Sequence, residues 1–144
     1  MTSEEHYRKL ENMYHSAPCN EYYNPTLTVW EGKAEIVIPV KRSFFHAAGA
    51  VHGSTYFKAL DDAAFFSANS LVTRVFVLTA NFNIHLTRPI SSGSMRAVGT
   101  VVSSTPGQFI AESVLYDSKD REIARGMGSF VRSAIELTSE IGYE

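Results

Sequence analysis

Hydrophobic and polar positions divide the first half of the chain into stretches of different periodicity. Residues 3–16 repeat apolar side chains at helical spacing, which predicts a short helix capped by its first residue, a serine. A loop is predicted over residues 18–25. Residues 26–40 alternate around an internal Glu-Gly pair, which predicts a β-hairpin. Residues 52–71 return to helical spacing, so a second, longer helix follows the hairpin.

Beyond residue 72 the pattern is typical of strands throughout. Residues 75–86 alternate strictly, which puts Phe76 and Phe82 on one face and Thr79 on the other. Three more strands are predicted over residues 94–104, 108–117 and 122–133. Helix and strands are segregated along the sequence, which indicates an α+β fold. We expect a curved antiparallel sheet around one helix, with its edges covered by a second copy of the chain.

The long predicted helix is apolar on more than one side. Its main apolar face contains Phe57 and Leu60, but Phe66 points away from that face. Lys58 and Asp62 lie at the polar pole, together with Asn69. We therefore expect a helix that is covered on more than one side, unlike an ordinary surface helix.

Composition and charge restrict the classes of function. The 144 residues are 44% hydrophobic and 19% charged, which suits a single domain with a packed core. A net charge of -2 argues against a dedicated nucleic-acid binder. The single cysteine, Cys19, excludes a disulfide framework and a cysteine-rich zinc site within one chain. No apolar stretch is long enough for a membrane span, and the N-terminus lacks the apolar core of a signal peptide, so we expect a cytoplasmic protein without a membrane or nucleic-acid partner.

Candidate chemistry is concentrated between residues 46 and 66. His46, His52 and Gly53 lie in a loop that leads into the long helix. Backbone N–H groups at a helix start are unpaired, so Gly53 can offer its amide to a carbonyl or an oxyanion. A metal site is disfavoured because no ligand pair has the close spacing of common zinc sites.

Two adjacent aspartates follow on the helix and differ in position. Asp62 falls at the polar pole beside Lys58, which favours a solvated carboxylate. Asp61 falls at the border of the apolar face, where partial desolvation raises the pKa of a carboxyl group and makes it a better base. From these residues alone, a capping or salt-bridge role for Asp61 is as well supported as a catalytic one.

This stretch resembles the hotdog-fold acyl-CoA thioesterases of the phenylacetic-acid-degradation (PaaI-like) type in the 4HBT superfamily. Their motif is N-x-x-G-x-x-H-G-G, with an aspartate eight residues after the first glycine of H-G-G. Here the sequence is H-A-A-G-A-V-H-G-S from His46 to Ser54, and Asp61 stands at the aspartate's place. The resemblance covers roughly residues 26–132 and includes a proline and a glycine after the long strand (Pro89, Gly93) and a G-x-G-x-F pattern in the last strand.

The resemblance implies a hotdog fold, in which a curved six-strand antiparallel sheet wraps one long central helix and a short N-terminal helix precedes them. Residues 1–25 would form the N-terminal helix and loop, 26–133 the hotdog thioesterase domain and 134–144 a C-terminal tail. It also implies a homodimer or homotetramer whose sites combine the H-G loop of one subunit with the aspartate of another. No cofactor is implied, since coenzyme A belongs to the substrate.

The resemblance further implies hydrolysis of an acyl-CoA to a free acid and CoA. Asp61 would be the general base or nucleophile, and the Gly53 amide would polarise the thioester carbonyl. His46 would help to place the carbonyl or the water, and Thr79 would hold the attacking water. The predicted substrate-binding residues are His52, Ser54, Phe57, Arg88 and Arg96, the two arginines for the phosphates and Phe57 for the acyl group.

Two positions depart from the family's pattern. His46 replaces the usual asparagine; it can donate one hydrogen bond to a carbonyl, and unlike asparagine it can titrate near neutral pH. Ser54 replaces the second glycine and adds a side chain beside the pocket. Two alternatives stay open: a hotdog dehydratase or hydratase, whose H-F-P-G motif the chain lacks, and a non-catalytic acyl-CoA binding protein.

Overall fold

A six-stranded antiparallel sheet and one long helix form the body of the protein. The computed structural model describes all residues, Met1–Glu144. The helices are α1 (Ser3–Ser16), α2 (Asn20–Tyr23) and α3 (Gly53–Asn69), and the strands are β1 (Thr26–Trp30), β2 (Lys33–Pro39), β3 (Val75–Leu86), β4 (Ser94–Ser104), β5 (Phe109–Tyr116) and β6 (Glu122–Glu136). The sheet order is β1-β2-β4-β5-β6-β3, and every neighbouring pair is antiparallel. The predicted α+β architecture is confirmed.

Helix α3 packs on the inner face of the sheet. The hairpin strand β2 buries Ala34, Ile36 and Ile38, as its alternation predicts. At Gly99 of β4 the helix backbone comes so close that an added Cβ would lie 2.2 Å from the carbonyl oxygen of Ala63. A side chain at this strand position would therefore push the helix off the sheet.

Helix α1 covers a second side of α3. The ring of Tyr14 packs edge-on against Phe66 with centroids 5.0 Å apart, and both side chains are buried. The prediction of a helix covered on more than one side is confirmed. Asn69, which the helical wheel assigned to the polar pole, is wholly buried and accepts a hydrogen bond from the Val77 N–H at 2.9 Å.

The two edge strands of the sheet differ in whether other parts of the chain bind their backbone. Side chains of α1 bind the backbone of edge strand β1: Glu11 accepts from the Val29 N–H at 2.8 Å and His15 from the Leu27 N–H at 3.0 Å. The opposite edge strand, β3, pairs with β6 on one side only. An open strand edge of this length is a template for pairing with another chain.

Strand β3 does not keep the strict alternation that its sequence predicts. A register shift between Thr79 and Asn81 inserts an extra residue opposite β6. As a result Thr79 and Phe82 both face α3, where the former contacts Asp61 and the latter contacts Phe57. The predicted opposition of these two β3 residues is wrong because one bulged residue exchanges the faces of the strand.

Three local predictions need correction. The cap of α1 is Thr2, not the serine, and it forms a capping box with Glu5. The predicted loop contains the short helix α2. Strand β6 runs to Glu136, three residues beyond its predicted end. No helix of the protein is long and apolar enough to cross a membrane.

Candidate active site

Asp61 and Thr79 meet between helix α3 and edge strand β3. The Thr79 hydroxyl donates a hydrogen bond to Asp61 Oδ1 at 2.9 Å, and this is the carboxylate's one hydrogen bond within the chain. The threonine is therefore engaged with the aspartate, and its oxygen lone pairs stay available to accept from a water molecule. The second carboxylate oxygen, Oδ2, is left without a protein partner.

The environment of Asp61 favours its protonated form. Burial raises the pKa of its carboxyl group from 3.8 to about 6, and the neighbouring charge of Asp62 adds to the rise. The Thr79 hydrogen bond and the Lys58 ammonium oppose this shift because both stabilise the carboxylate. A carboxylate with a pKa near 6 is mostly ionised at neutral pH and is more basic than an ordinary aspartate, which suits proton abstraction.

Asp62 is not the solvated carboxylate that the sequence predicts. Its Oδ2 accepts a hydrogen bond from the Tyr14 hydroxyl at 2.6 Å and pairs with Lys58 Nζ at 2.7 Å. Only 16% of its side chain is exposed, because α1 lies over this part of α3. The pairing with Lys58 is confirmed, but Asp62 serves as a buried anchor for the N-terminal helix.

A cavity of ≈ 300 Å³ opens beside Asp61, between α1, α3 and β3. Apolar side chains form most of its wall. The lining residues are Met13, Tyr14, Ala17, Cys19, Asn20, Lys58, Asp61, Asp62, Phe65, Phe66, Phe76, Leu78 and Thr79. The sequence did not predict that Met13 and Tyr14 line this cavity. Helical spacing indicates that they are buried on one face of α1, but it does not indicate which surface they pack against.

The loop before α3 presents a backbone donor. His52 is the N-cap of the helix, and its Nδ1 accepts a hydrogen bond from the Ser54 N–H at 3.0 Å. The Gly53 N–H follows the cap and donates no hydrogen bond within the chain. It is therefore free for a ligand oxygen, and the start of the helix adds a favourable partial positive charge there.

His46 lies in the same loop and is exposed. Its Nδ1 accepts a hydrogen bond from the Ala48 N–H at 3.1 Å. This bond fixes the neutral ring in the tautomer that carries its proton on Nε2. The exposed Nε2–H can donate to a carbonyl, as the side chain of an asparagine would.

Helix α3 and strand β3 lie side by side in opposite directions, so their residues meet in pairs. Gly53 is beside Leu86, and Asp61 is bonded to Thr79. Between these pairs the Phe57 and Phe82 rings lie 5.8 Å apart, centroid to centroid. Beyond them the Phe65 and Phe76 ring centroids are 5.0 Å apart. Gly53 and Asp61 are eight residues apart on one helix, which is about 12 Å at 1.5 Å per residue. The structure therefore brings Asp61 together with Thr79 and places Gly53 directly after His52, with His46 in the same loop, but it does not join the two groups within one chain.

The remaining predicted residues are divided between the α3 start and the sheet. Ser54 is exposed, and its hydroxyl lies 2.8 Å from His52 Nδ1. Phe57 is 40% exposed and lies outside the Asp61 cavity. Arg88 has no ion-pair partner, and its backbone carbonyl accepts a hydrogen bond from the Tyr56 hydroxyl at 2.7 Å. Arg96 instead lies 3.2 Å from Asp120 and 3.6 Å from Glu35, so its charge is already paired.

No group of three or more His, Cys, Asp and Glu side chains lies close enough together to hold a metal ion. Each of the acids and histidines named above instead interacts with its own partners. Asp61 is hydrogen-bonded to Thr79, Asp62 to Tyr14 and Lys58, and His52 to Ser54.

Solved structures of other proteins share this fold. The E. coli PaaI protein from the phenylacetic acid degradation operon matches with a TM-score of 0.86 at 17% identity, over 96% of this chain and 100% of that one. A thioesterase family protein from Silicibacter pomeroyi matches at 0.80 and 21% identity, over 88% and 96% of the two chains. The thioesterase HI1161 from Haemophilus influenzae matches at 0.76 and 14% identity, over 83% and 85%. These likenesses confirm the predicted hotdog fold.

The sequence itself carries the family relationship. No curated protein matches it significantly. A sequence model described as the thioesterase superfamily (4HBT) matches residues 48–124, which is more than half of the chain and includes the H-G loop, all of α3 and β3. The chain therefore belongs to the thioesterase superfamily, within which its fold is PaaI-like.

Proposed function

We propose that the protein is an acyl-CoA thioesterase in which Asp61 is the reacting acid. The observation that carries the proposal is the environment of this carboxylate. It is half-buried in the wall of a mainly apolar cavity, its pKa is raised to about 6, and one of its oxygens is held by Thr79 while the other is free. A thioester carbonyl beside it would be attacked by water that Asp61 deprotonates.

The reaction balances with these groups. Asp61 takes a proton from water, and the water oxygen forms a bond to the thioester carbon. The negative charge that develops on the carbonyl oxygen is stabilised by the free Gly53 amide and by His46 Nε2–H. The C–S bond then breaks, and the thiolate of CoA takes the proton, which leaves a free acid and CoA. In the alternative of direct attack, Asp61 forms a mixed anhydride with the acyl group and expels the thiolate of CoA. Appearance of ¹⁸O from water in Asp61 after a single turnover, through hydrolysis at its carboxyl carbon, would identify this route.

A complete site requires two copies of the chain. The 12 Å spacing of Gly53 and Asp61 is too long for one carbonyl group to contact both. Antiparallel pairing of two β3 strands about a twofold axis at Asn83 would set Ala80, the neighbour of Thr79 in the bulge, opposite the partner's Leu86. Since Thr79 neighbours Asp61 and Leu86 neighbours Gly53, this pairing would bring the acid of one copy to the amide of the other. The open edge of β3 and its exposed Leu78 and Leu86 support it.

The test of activity is release of free thiol from a panel of acyl-CoAs by the wild-type protein and by Asp61→Asn. Hydrolysis by the wild type and its loss in the variant are expected. Binding of acyl-CoA without thiol release by the wild type would contradict the proposal and favour a binding protein. Hydration of an enoyl-CoA without thiol release would favour a hydratase.

The test of the shared site is a mixing experiment. Asp61→Asn chains and Gly53→Pro chains, each inactive alone, are mixed in equal amounts, unfolded together and refolded. Half of the dimers formed by random pairing would be mixed, and each of these would contain one intact site, so about a quarter of wild-type activity is expected. Absence of any recovery, with mixed dimers present by mass spectrometry, would contradict a site shared between copies.

A further inference from the structure

The cavity between α1, α3 and β3 lies against the proposed reacting acid. We propose that this cavity receives the acyl group of the substrate and that Met13 and Tyr14 of the N-terminal helix set the length of acyl group that fits. The inference rests on the proposed function, since it takes Asp61 as the point where the thioester carbonyl is held. It assigns a selective role to α1, which lies outside the segment matched by the superfamily, residues 48–124.

The chemistry of the wall suits an acyl group. Phe65, Phe66, Phe76 and Leu78 present aromatic and aliphatic surface, and the bonded pair Asp61 and Thr79 lines the same space. A carbonyl carbon placed at Asp61 would direct its apolar chain along these side chains. Burial of methylene groups against such a surface is favourable in proportion to the area removed from water.

The same wall is unfavourable for binding the nucleotide part of coenzyme A. Two carboxylates, Asp61 and Asp62, line the cavity, and the single cation there, Lys58, is already paired with Asp62 at 2.7 Å. Phosphate groups would meet net negative charge in a partly desolvated space. A volume of ≈ 300 Å³ is also at the lower end for ligand pockets, which suits a short, medium or aromatic acyl group and not a nucleotide.

Helix α1 closes the cavity with one rigid and one adaptable side chain. Tyr14 is held by its hydrogen bond to Asp62 at 2.6 Å and by packing on Phe66, so its position is fixed. Met13 is 5% exposed and has the flexible thioether chain that fits irregular spaces. Ala17, one turn further along, also lines the cavity and leaves room that a larger side chain would occupy.

The experiment compares kcat/KM across acetyl-, butanoyl-, hexanoyl-, octanoyl-, decanoyl- and phenylacetyl-CoA. Met13→Ala enlarges the cavity and is expected to raise the decanoyl-to-butanoyl ratio by about tenfold, since each methylene in such a pocket changes discrimination by a factor of this order. Ala17→Leu fills the cavity and is expected to lower the same ratio. Leu10→Ala is the control: Leu10 is as buried in α1 but does not line the cavity, so its ratio should equal that of the wild type. Equal ratios in all four proteins would overturn the inference.

A binding measurement keeps the inference testable if a variant fails to fold. Cys19 is the chain's one cysteine and lines the cavity, so its alkylation by iodoacetamide reports whether the space is occupied. S-Hexyl-CoA, a non-hydrolysable thioether, is expected to slow alkylation of the wild type more strongly than CoA alone. Equal protection by both, or protection by neither, would overturn the inference. If no acyl-CoA is hydrolysed but S-hexyl-CoA protects Cys19, the proposed function fails and the acyl cavity stands.

Discussion

The hydroxyl of Thr79 donates to Asp61 Oδ1 at 2.9 Å and so links the edge strand β3 to the middle of helix α3. The bond holds one carboxylate oxygen and lowers the pKa of Asp61 against the larger raising effect of burial. The bond therefore sets both the orientation of the Asp61 carboxylate and its basicity. The two residues are 18 positions apart in sequence and meet only because β3 returns along α3.

The two adjacent aspartates are expected to differ in their effect on turnover. Asp61→Asn should lower kcat by ~10²–10⁴-fold, because it removes the proposed proton acceptor. Asp62→Asn should keep kcat within a few-fold of wild type at temperatures where it is folded, because the Asp62 carboxylate is engaged by Tyr14 and Lys58 and is not the proposed proton acceptor. Steady-state hydrolysis by the two variants measures this, and circular dichroism checks that each is folded. Similar losses in both would contradict the distinction.

The acid limb of the pH profile should follow the ionisation of Asp61. In the proposed reaction only the carboxylate form of Asp61 is active, so kcat/KM is expected to rise with pH through about 6 and then level off. Thr79→Val removes the hydrogen bond that lowers this pKa, so the acid limb should move to higher pH. Thr79→Ser retains a hydroxyl and is the control. A Thr79→Val profile that coincides with wild type would show that the bond does not tune Asp61.

The charged carboxylate of Asp61 should destabilise the folded protein at neutral pH. Its pKa is 3.8 in an ordinary carboxyl group and about 6 here, so folding disfavours the charged form by at most roughly 3 kcal/mol. Below pH 3.8 both states are protonated and there is no cost; the cost grows as pH rises towards about 6 and is complete above it.

Asp61→Asn removes this cost, so its free energy of unfolding should exceed that of wild type at neutral pH, and the difference should vanish in acid. Urea denaturation of both proteins at one protein concentration measures it. Equal stabilities at neutral pH would show that Asp61 is not a destabilising charge.

The Gly53 amide can be removed without removing the helix start. Gly53 is the first residue of α3, where proline is favoured, and His52 has the extended conformation that precedes proline well (φ -64, ψ 144). Gly53→Pro should lower kcat by ~10²–10³-fold, the usual cost of losing one oxyanion donor. Gly53→Ala is the matched control: it keeps the N–H and brings a Cβ to 3.2 Å from the end of the flexible Leu86 side chain. Equal activity in the two variants would contradict a role for the amide.

The two arginines that are predicted to contact phosphates should differ in their effect on KM. Arg88 is exposed without an ion-pair partner, whereas Arg96 is paired with Asp120 and Glu35. Arg88→Ala should therefore raise KM several-fold with little change in kcat, and the effect should shrink at high salt. Arg96→Ala should leave KM near wild type. An unchanged KM in Arg88→Ala at low salt would remove Arg88 from the binding surface.

The sequence determined the elements of the fold because their signals are local. Apolar periodicity predicts α1 and α3, and alternation predicts the six strands. The helical wheel alone puts Asp61 at the apolar border, and the resemblance to hotdog thioesterases gives it a role. Each of these depends on residues within one element or on a short motif.

Only the tertiary structure decided what surrounds those elements. A one-residue bulge in β3 turns Thr79 towards Asp61, although alternation alone separates Thr79 from Phe82. Helix α1 covers α3, which buries Asp62 and forms one wall of the cavity with Met13 and Tyr14. Bulges and the packing of distant helices depend on contacts between residues far apart in sequence, and the periodicity of a single element carries no information about them.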